Sequence, residues 1–356
     1  MSGSIDETLL WLCAIASPIG EERALCDAVK ARLERSTLAA PIRRYGESIV
    51  VPLVRGGGKR PHVALAGHLD TVRTENGAAR IDGDRCFGAG SSDMKSGLAV
   101  MIALAEQIDR AKTNVDLTLV FYAREEGPFA ENELGPVLEQ DPELGGVDLA
   151  VCLEPSDNKL HLGCNGSVHA QITFVGKTGH SARPWEGDSA VSRAAPFIAE
   201  VAALAPEPHV IDGLTYKAVT TITQAKDGGR GRNVVPDRFV LNVNHRFTPD
   251  TSLADAQARI TRLVNGRAEI VFTDLSPAAM PNASHPLVRK LVEVGVRGVE
   301  PKQAWTDVAR FAARGIAAVN FGPGENAQAH QKNESTSLAL VRDGLGIVSR
   351  WVASIP

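Results

Sequence analysis

The chain has no C-x-x-C pair, and its five cysteines, Cys13, Cys26, Cys86, Cys152 and Cys164, are scattered over 356 residues. An odd number of thiols, mostly inside apolar runs, argues for a reduced protein of the cytoplasm and against a zinc–thiolate site. No apolar run approaches the roughly 20 residues that span a bilayer. The N-terminal stretch Met1-Ser2-Gly3-Ser4-Ile5-Asp6-Glu7 is acidic and lacks the basic-then-apolar build of a signal peptide. An excess of one charge is also missing. The formal net charge of -4 gives neither nucleic acid nor an anionic membrane a reason to bind. There is no internal repeat and no low-complexity segment. The glycine-rich Gly228-Gly229-Arg230-Gly231 follows a strand-like run without opening a helix, which argues against a phosphate loop. What remains is a composition of 44% hydrophobic and 22% charged residues, that of a soluble globular protein, in a chain long enough for two domains.

The chain is organised around Gly67-His68-Leu69-Asp70-Thr71-Val72, which follows the apolar run His62-Val63-Ala64-Leu65-Ala66. That run reads as a buried strand. Residues i and i+2 face the same side of an extended chain, so Asp70 can reach the His68 ring. A carboxylate on one imidazole nitrogen leaves the other for a metal. Taken alone, these six residues fit a ligand with its orienter and also a strand-end histidine in a polar turn.

Other apolar runs repeat the pattern. Residues 5–16 and 20–35 carry helical periodicity, Val50–Val54 reads as a strand, and Gly56-Gly57-Gly58 as a turn. Residues 73–92 read as a loop with a short hairpin. Asp93 opens a helix to about Asp109, where a capping role is the ordinary one for an aspartate. A strand at Leu117–Ala123 runs into Arg124-Glu125-Glu126-Gly127, and one at Val147–Leu153 runs into Glu154-Pro155. A strand at Ala317–Phe321 is followed by Gly322-Pro323-Gly324 and then His330. Near-continuous apolar strands alternating with helices indicate a mixed, largely parallel α/β sheet with both faces covered. Ligands of such sheets sit at the carboxyl ends of the strands. His68, Asp93, Glu125, Glu126, Glu154 and His330 therefore gather at one edge.

Between about Asn165 and Leu275 the strands alternate apolar and polar instead. The order is strand (Val168–Val175), helix (Asp188–Leu204), strand (Lys217–Thr223), strand (Phe239–Phe247), helix (Leu253–Val264), strand (Glu269–Thr273). This is the ferredoxin-like split βαβ order. An α+β domain over 166–277 is thus expected as an insertion between two parts of a first domain, 1–165 and 278–356.

Two histidines and several carboxylates suit a pair of divalent metals sharing a bridging carboxylate, for which Asp93 is the candidate. Glu125 and Glu126 point different ways, so one can bind metal while the other takes a proton. The implied reaction is metal-assisted hydrolysis of an amide.

The same stretches, with Gly90-Ser91-Ser92-Asp93-Met94-Lys95-Ser96-Gly97, Leu153-Glu154-Pro155 and Gly322-Pro323-Gly324…Ala329-His330…Asn333-Glu334, look like the successive motifs of the dizinc aminoacylase/carboxypeptidase family. That family includes succinyl-diaminopimelate desuccinylases, acetylornithine deacetylases and glutamate carboxypeptidases. The resemblance covers nearly the whole chain. It implies two zinc ions, with cobalt as a substitute, and a ferredoxin-like lid that forms a homodimer. His68 and Glu154 match the terminal ligands of one ion, and Glu126 and His330 those of the other. Asp93 matches the bridge, which in the family precedes an unusual cis peptide. Glu125 matches the general base and Asp70 the orienter. Glutamate at 154 favours a deacylase or carboxypeptidase over an aminopeptidase. In Lys177-Thr178-Gly179-His180-Ser181-Ala182-Arg183-Pro184, His180 matches the histidine that reaches the partner subunit's site and polarises the scissile carbonyl. Asn233 and Arg246 match lid residues that hold substrate carboxylates, and Arg183 is a further candidate. Thr306, Asp307 and Asn326 match substrate-side positions. The remaining histidines, His62, His161, His169, His209, His245 and His285, read as structural or solvated. The run Trp305-Thr306-Asp307-Val308-Ala309-Arg310-Phe311 most resembles the actinobacterial-type succinyl-diaminopimelate desuccinylases. Acetylornithine deacetylase and an acidic-residue carboxypeptidase are the alternatives. A metal-free binding relative would have lost a ligand or Glu125, and none is lost.

Overall fold

The computed structural model describes residues 3–56, 59–229 and 231–356. Met1 and Ser2 of the acidic N-terminus, Gly57 and Gly58 of the expected turn, and Arg230 of the glycine-rich stretch lie outside the described residues. The chain forms two units. The first takes residues up to Gly163, Pro281–Lys302 and Thr306–Pro356, and the second Cys164–Met280 with Gln303–Trp305.

The first unit is built on an eight-stranded sheet. Its spatial order is Arg43–Tyr45, Ser48–Val54, Asp116–Tyr122, His62–His68, Leu149–Cys152, Ala317–Phe321, Leu160–Leu162, Val299–Pro301. Four of the seven pairings are parallel and three antiparallel. The four central strands run in one direction and are buried almost throughout, which a strand rich in Val, Leu and Ala tolerates only when both faces are covered. Helix Lys95–Gln107 lies close against strand His62–His68, where Gly67 makes room. A Cβ at 67 would stand 2.6 Å from Leu98 Cδ2 and 2.7 Å from Met94 Cε. Helix Ile5–Ala14 begins on a reciprocal cap, with the Ser4 side chain on the Glu7 N–H and the Glu7 carboxylate on the Ser4 N–H.

The expected α/β architecture is therefore present, with differences at element ends. The helix expected from Asp93 runs from Lys95 to Gln107, and Asp93 does not cap it. Its carboxylate is engaged by histidines instead. The short strands Arg43–Tyr45, Leu160–Leu162, Val299–Pro301 and Ser335–Ser337 add to those expected; three residues are too few to show a period. Within the expected 73–92 loop, the hairpin Arg80–Asp82/Arg85–Phe87 forms, and Ser335–Ser337 pairs with it.

The second unit has a five-stranded antiparallel sheet in the order Glu207–Ile211, Leu214–Asp227, Arg238–Phe247, Gly166–Val175, Glu269–Ser276. Helices Ala190–Ala202 and Leu253–Val264 complete the β-α-β-β-α-β order, with Glu207–Ile211 as an added edge strand. The first helix starts at Ala190, not Asp188, because the Ser189 side chain caps it by accepting the Ser192 N–H. Val168, Ile172, Phe174, Leu241 and Val243 pack with Phe197, Val201 and Ile260 from the helices. Gln171 and Val175 alternate with these and are exposed. Among the described residues no helix is long and apolar enough to cross a membrane.

Candidate metal centre

The parallel strands deliver their carboxyl ends to one edge of the first unit. His68 closes its strand and is 1% exposed. Its Nδ1 lies 3.0 Å from the backbone carbonyl oxygen of Asp70. A carbonyl only accepts, so Nδ1 carries a proton, and Nε2 is the nitrogen that faces Asp93 and is left for a metal once its own proton is lost. That Nε2 is 3.3 Å from Asp93 Oδ1. The other oxygen of Asp93, Oδ2, is 3.5 Å from His330 Nε2, and His330 Nε2 is 2.9 Å from Glu126 Oε1. Asp93 thus offers one oxygen to each side, next to a cis Asp93–Met94 peptide. Three groups of donor atoms each lie within 4.8 Å of one another: His68–Asp93–Glu154, Asp93–Glu126–His330 and His68–Glu125–Glu126.

Close chain approach makes this gathering possible. A Cβ at Gly322 would stand 2.4 Å from the Glu154 carbonyl oxygen, and one at Gly324 would stand 2.1 Å from that of Ser92. The Gly322-Pro323-Gly324 run therefore passes directly against the segments that carry Glu154 and Asp93.

The electrostatics are those of crowded carboxylates. Burial, then the nearby Glu154, pushes Glu125 well above the usual range. Burial, then Asp93, pushes Glu154 up to about 7. Burial also raises Glu126, against the hydrogen bond from His330. Burial opposes ionisation of Asp93, but hydrogen bonds from His330 and His68 outweigh it and hold the carboxyl well below its ordinary value. Asp93, then Glu126, pushes His330 up to about 10. Burial disfavours His68 as a cation, yet Asp70 and Asp93 together raise it. Such a cluster needs positive charge to ionise fully. Divalent cations fit it by donor chemistry: imidazole nitrogen with carboxylate oxygen suits zinc. The buried Oε1 of Glu154 has no hydrogen-bond partner among the described residues, which fits a donor that serves a metal.

Asp70 does more than face the ring. Its Oδ1 lies 3.6 Å from His68 Nδ1. Its two oxygens accept the backbone N–H groups of Glu125 at 3.0 Å and Glu126 at 2.9 Å. Both His68 and the Glu125-Glu126 turn therefore rest on Asp70, which is 1% exposed.

Among the substrate-side candidates of the first unit, Thr306 and Asp307 are buried and Asn326 is exposed. Asp307 is held by both oxygens to Asn132 Nδ2 at 3.0 Å and pairs with Arg310 Nε at 2.7 Å, so its carboxylate is occupied internally. In the second unit, His180 is exposed, pairs across strands with Val234, and accepts the Ala182 N–H on Nδ1 at 3.0 Å. Asn233 adjoins it, its carbonyl accepting the Ser181 N–H. Arg246 is half-buried, with Nε on Asn244 Oδ1 at 3.0 Å. Arg183 makes an exposed 3.6 Å pair with Glu186. The other histidines have structural partners, such as Thr118 for His62, Asn242 for His169 and Asp250 for His209. Glu334 had no role assigned from sequence; it is buried beneath the Gly90–Asp93 turn and accepts three of its N–H groups. Burial raises it to about 7, against those hydrogen bonds. The only sequence signal was its place in Asn333-Glu334 after His330.

The family profile described as peptidase family M20/M25/M40 matches residues 64–354. The chain is 35% identical over 343 residues to the DapE protein of Mycobacterium tuberculosis, with 96% of each chain covered. It is 33% identical over 350 residues to the succinyl-diaminopimelate desuccinylase of Corynebacterium glutamicum, covering 96% of this chain and 94% of that one. Among solved structures, a Staphylococcus aureus tripeptidase matches with a TM-score of 0.80 at 18% identity, covering 99% and 97% of the two chains. The YXEP protein of Bacillus subtilis, described as a dinuclear metal-binding peptidase, matches at 0.70 and 14% identity, covering 98% and 96%.

Proposed function

This chain belongs to peptidase family M20/M25/M40 and is a metal-dependent amidohydrolase; we propose that it cleaves N-succinyl-LL-2,6-diaminopimelate to succinate and LL-2,6-diaminopimelate, on the route to lysine and peptidoglycan. The observation that carries the chemistry is Asp93, shared between the His68–Glu154 and Glu126–His330 groups. The desuccinylase of Corynebacterium glutamicum, similar over nearly the full length, supports the substrate.

His68, Asp93 and Glu154 would hold one zinc ion, and Asp93, Glu126 and His330 the other, with cobalt as a substitute. When bound, the ions supply Lewis acidity at the scissile carbonyl and acidify a water. Glu125 takes the proton from the attacking water onto its carboxylate and returns it to the leaving amine nitrogen. Asp70 holds the Glu125-Glu126 turn and the His68 ring in place. In this reading residues 166–277 are a lid that makes a homodimer, inserted between the catalytic segments 1–165 and 278–356. His180 then reaches the partner's site and polarises the carbonyl. Arg183, Asn233, Arg246, Thr306 and Asn326 recognise the substrate's carboxylates. The five free thiols, all buried, fit a cytoplasmic protein.

The test is release of succinate and acetate from N-succinyl-LL-diaminopimelate and N-acetylornithine, side by side, on zinc-reconstituted protein. Fast succinate release with little acetate is expected. Acetate alone would reassign the substrate to acetylornithine while leaving the metal chemistry in place.

A further inference from the structure

Glu334 is 2% exposed and forms no ion pair among the described residues. Its Oε2 accepts the Gly90 N–H at 2.8 Å, and its Oε1 accepts the N–H groups of Ser92 and of Asp93, each at 2.8 Å. Its own backbone is fixed as well: its N–H donates to Asn76 Oδ1 at 2.8 Å, and its carbonyl accepts the Gly88 N–H at 3.1 Å. The segment that leads to it carries His330 and turns through two left-handed residues, His330 and Asn333. One buried carboxylate thus ties the turn that presents Asp93 to the segment that presents His330.

A single acid with three main-chain donors costs much desolvation, and an apolar residue would fill the space without it. What an apolar residue would not do is fix the direction of the Asp93 backbone. The Asp93 carboxylate must send one oxygen towards His68 and the other towards His330, so a small rotation of that backbone spoils both sides at once. We propose that Glu334 is the positioning residue that sets Asp93 as the shared ligand of the two metal ions and couples it to the His330 segment. This inference rests on the dinuclear reading above and adds to it a residue that touches neither metal nor substrate.

The experiment is calorimetric titration of zinc into metal-stripped wild type, Glu334→Ala and Glu334→Gln, with circular dichroism and steady-state kinetics on the same preparations. Glu334→Ala is expected to keep its fold and to lose zinc affinity by roughly 10- to 100-fold, as is usual when a ligand's hydrogen-bonded support is removed. Its kcat should fall while KM stays near wild type. Glutamine keeps one acceptor for Ser92 and Asp93 but turns an NH2 group towards Gly90. Glu334→Gln should therefore fall between wild type and alanine, and it decides the matter if the alanine variant does not fold. Unchanged zinc affinity in the folded variants, even with a lower melting temperature, would overturn the proposal. Fewer than two ions in the wild type would instead count against the dinuclear reading, and the effect of Glu334 on the remaining ion would still be read in the same titration.

Discussion

At the scale of the residue, Asp70 separates two kinds of support. The bond to His68 Nδ1 comes from the Asp70 backbone, which no substitution at 70 removes. The bonds to Glu125 and Glu126 come from the side chain. In Asp70→Asn one oxygen remains and an NH2 group faces a backbone N–H. Turnover should fall by about 10- to 100-fold while zinc content and the circular dichroism spectrum stay those of wild type. Loss of zinc with turnover per bound metal unchanged would mean that the carboxylate serves the ligands His68 and Glu126 and not the base Glu125. Of this arrangement, the gathering of His68, Glu125, Glu126, Glu154 and His330 is legible in the sequence, because each ends or follows an apolar run. The grip of Asp70 on the 125–126 backbone is not, since nothing in the spacing shows which main-chain donors a carboxylate meets across strands. Glu334 escaped for the same reason.

At the scale of the element, helix Lys95–Gln107 and helix Leu338–Ser354 put glycine to different uses. Gly97 packs its face against the end of the strand that leads to Glu154: an added Cβ would stand 2.4 Å from the Leu153 carbonyl oxygen and 2.8 Å from Leu153 Cβ. Gly346 would meet only Arg350 Nη1, at 3.2 Å, the far end of a flexible side chain. Alanine is favoured over glycine in a helix interior by about 1 kcal/mol. Gly346→Ala should therefore raise the melting temperature. Gly97→Ala should lower it, and should lower turnover too, because backbone must shift beside Glu154. A stable, fully active Gly97→Ala would show that the strand end yields freely. The helix itself was legible from its apolar face, and strand His62–His68 from its unbroken apolar run. The two ends of the Asp93 segment were not. An aspartate before an apolar run looks like a cap, and only the tertiary partners of Asp93 reveal that its oxygens face two histidines. The edge strand Glu207–Ile211 was hidden because Pro208 and alternating polar residues weaken its pattern.

At the scale of the whole molecule, the cross-subunit role proposed for the second unit makes its own prediction. Its sheet order was legible from alternating strands such as Ala170–Phe174, whereas a loop such as Lys177–Pro184 has no period that could show what it meets. Among the described residues, the side chain of exposed His180 is hydrogen-bonded locally, by the Ala182 N–H two residues on. If His180 acts across a symmetric homodimer, two dead variants should revive each other. Glu125→Gln lacks the base and His180→Ala lacks the donated imidazole, so each alone should be nearly inactive. Mixed and allowed to exchange, half of the dimers become hybrids, and each hybrid joins an intact Glu125 on one subunit to an intact His180 on the other. About one quarter of the sites are then complete, and roughly that share of wild-type turnover should return. If His180 acts on its own subunit's site, every site in the mixture lacks one of the two groups and the activity stays at the level of the parents. Native mass spectrometry of the mixture confirms that hybrids have formed, so that a silent mixture of true hybrids sinks the cross-subunit role.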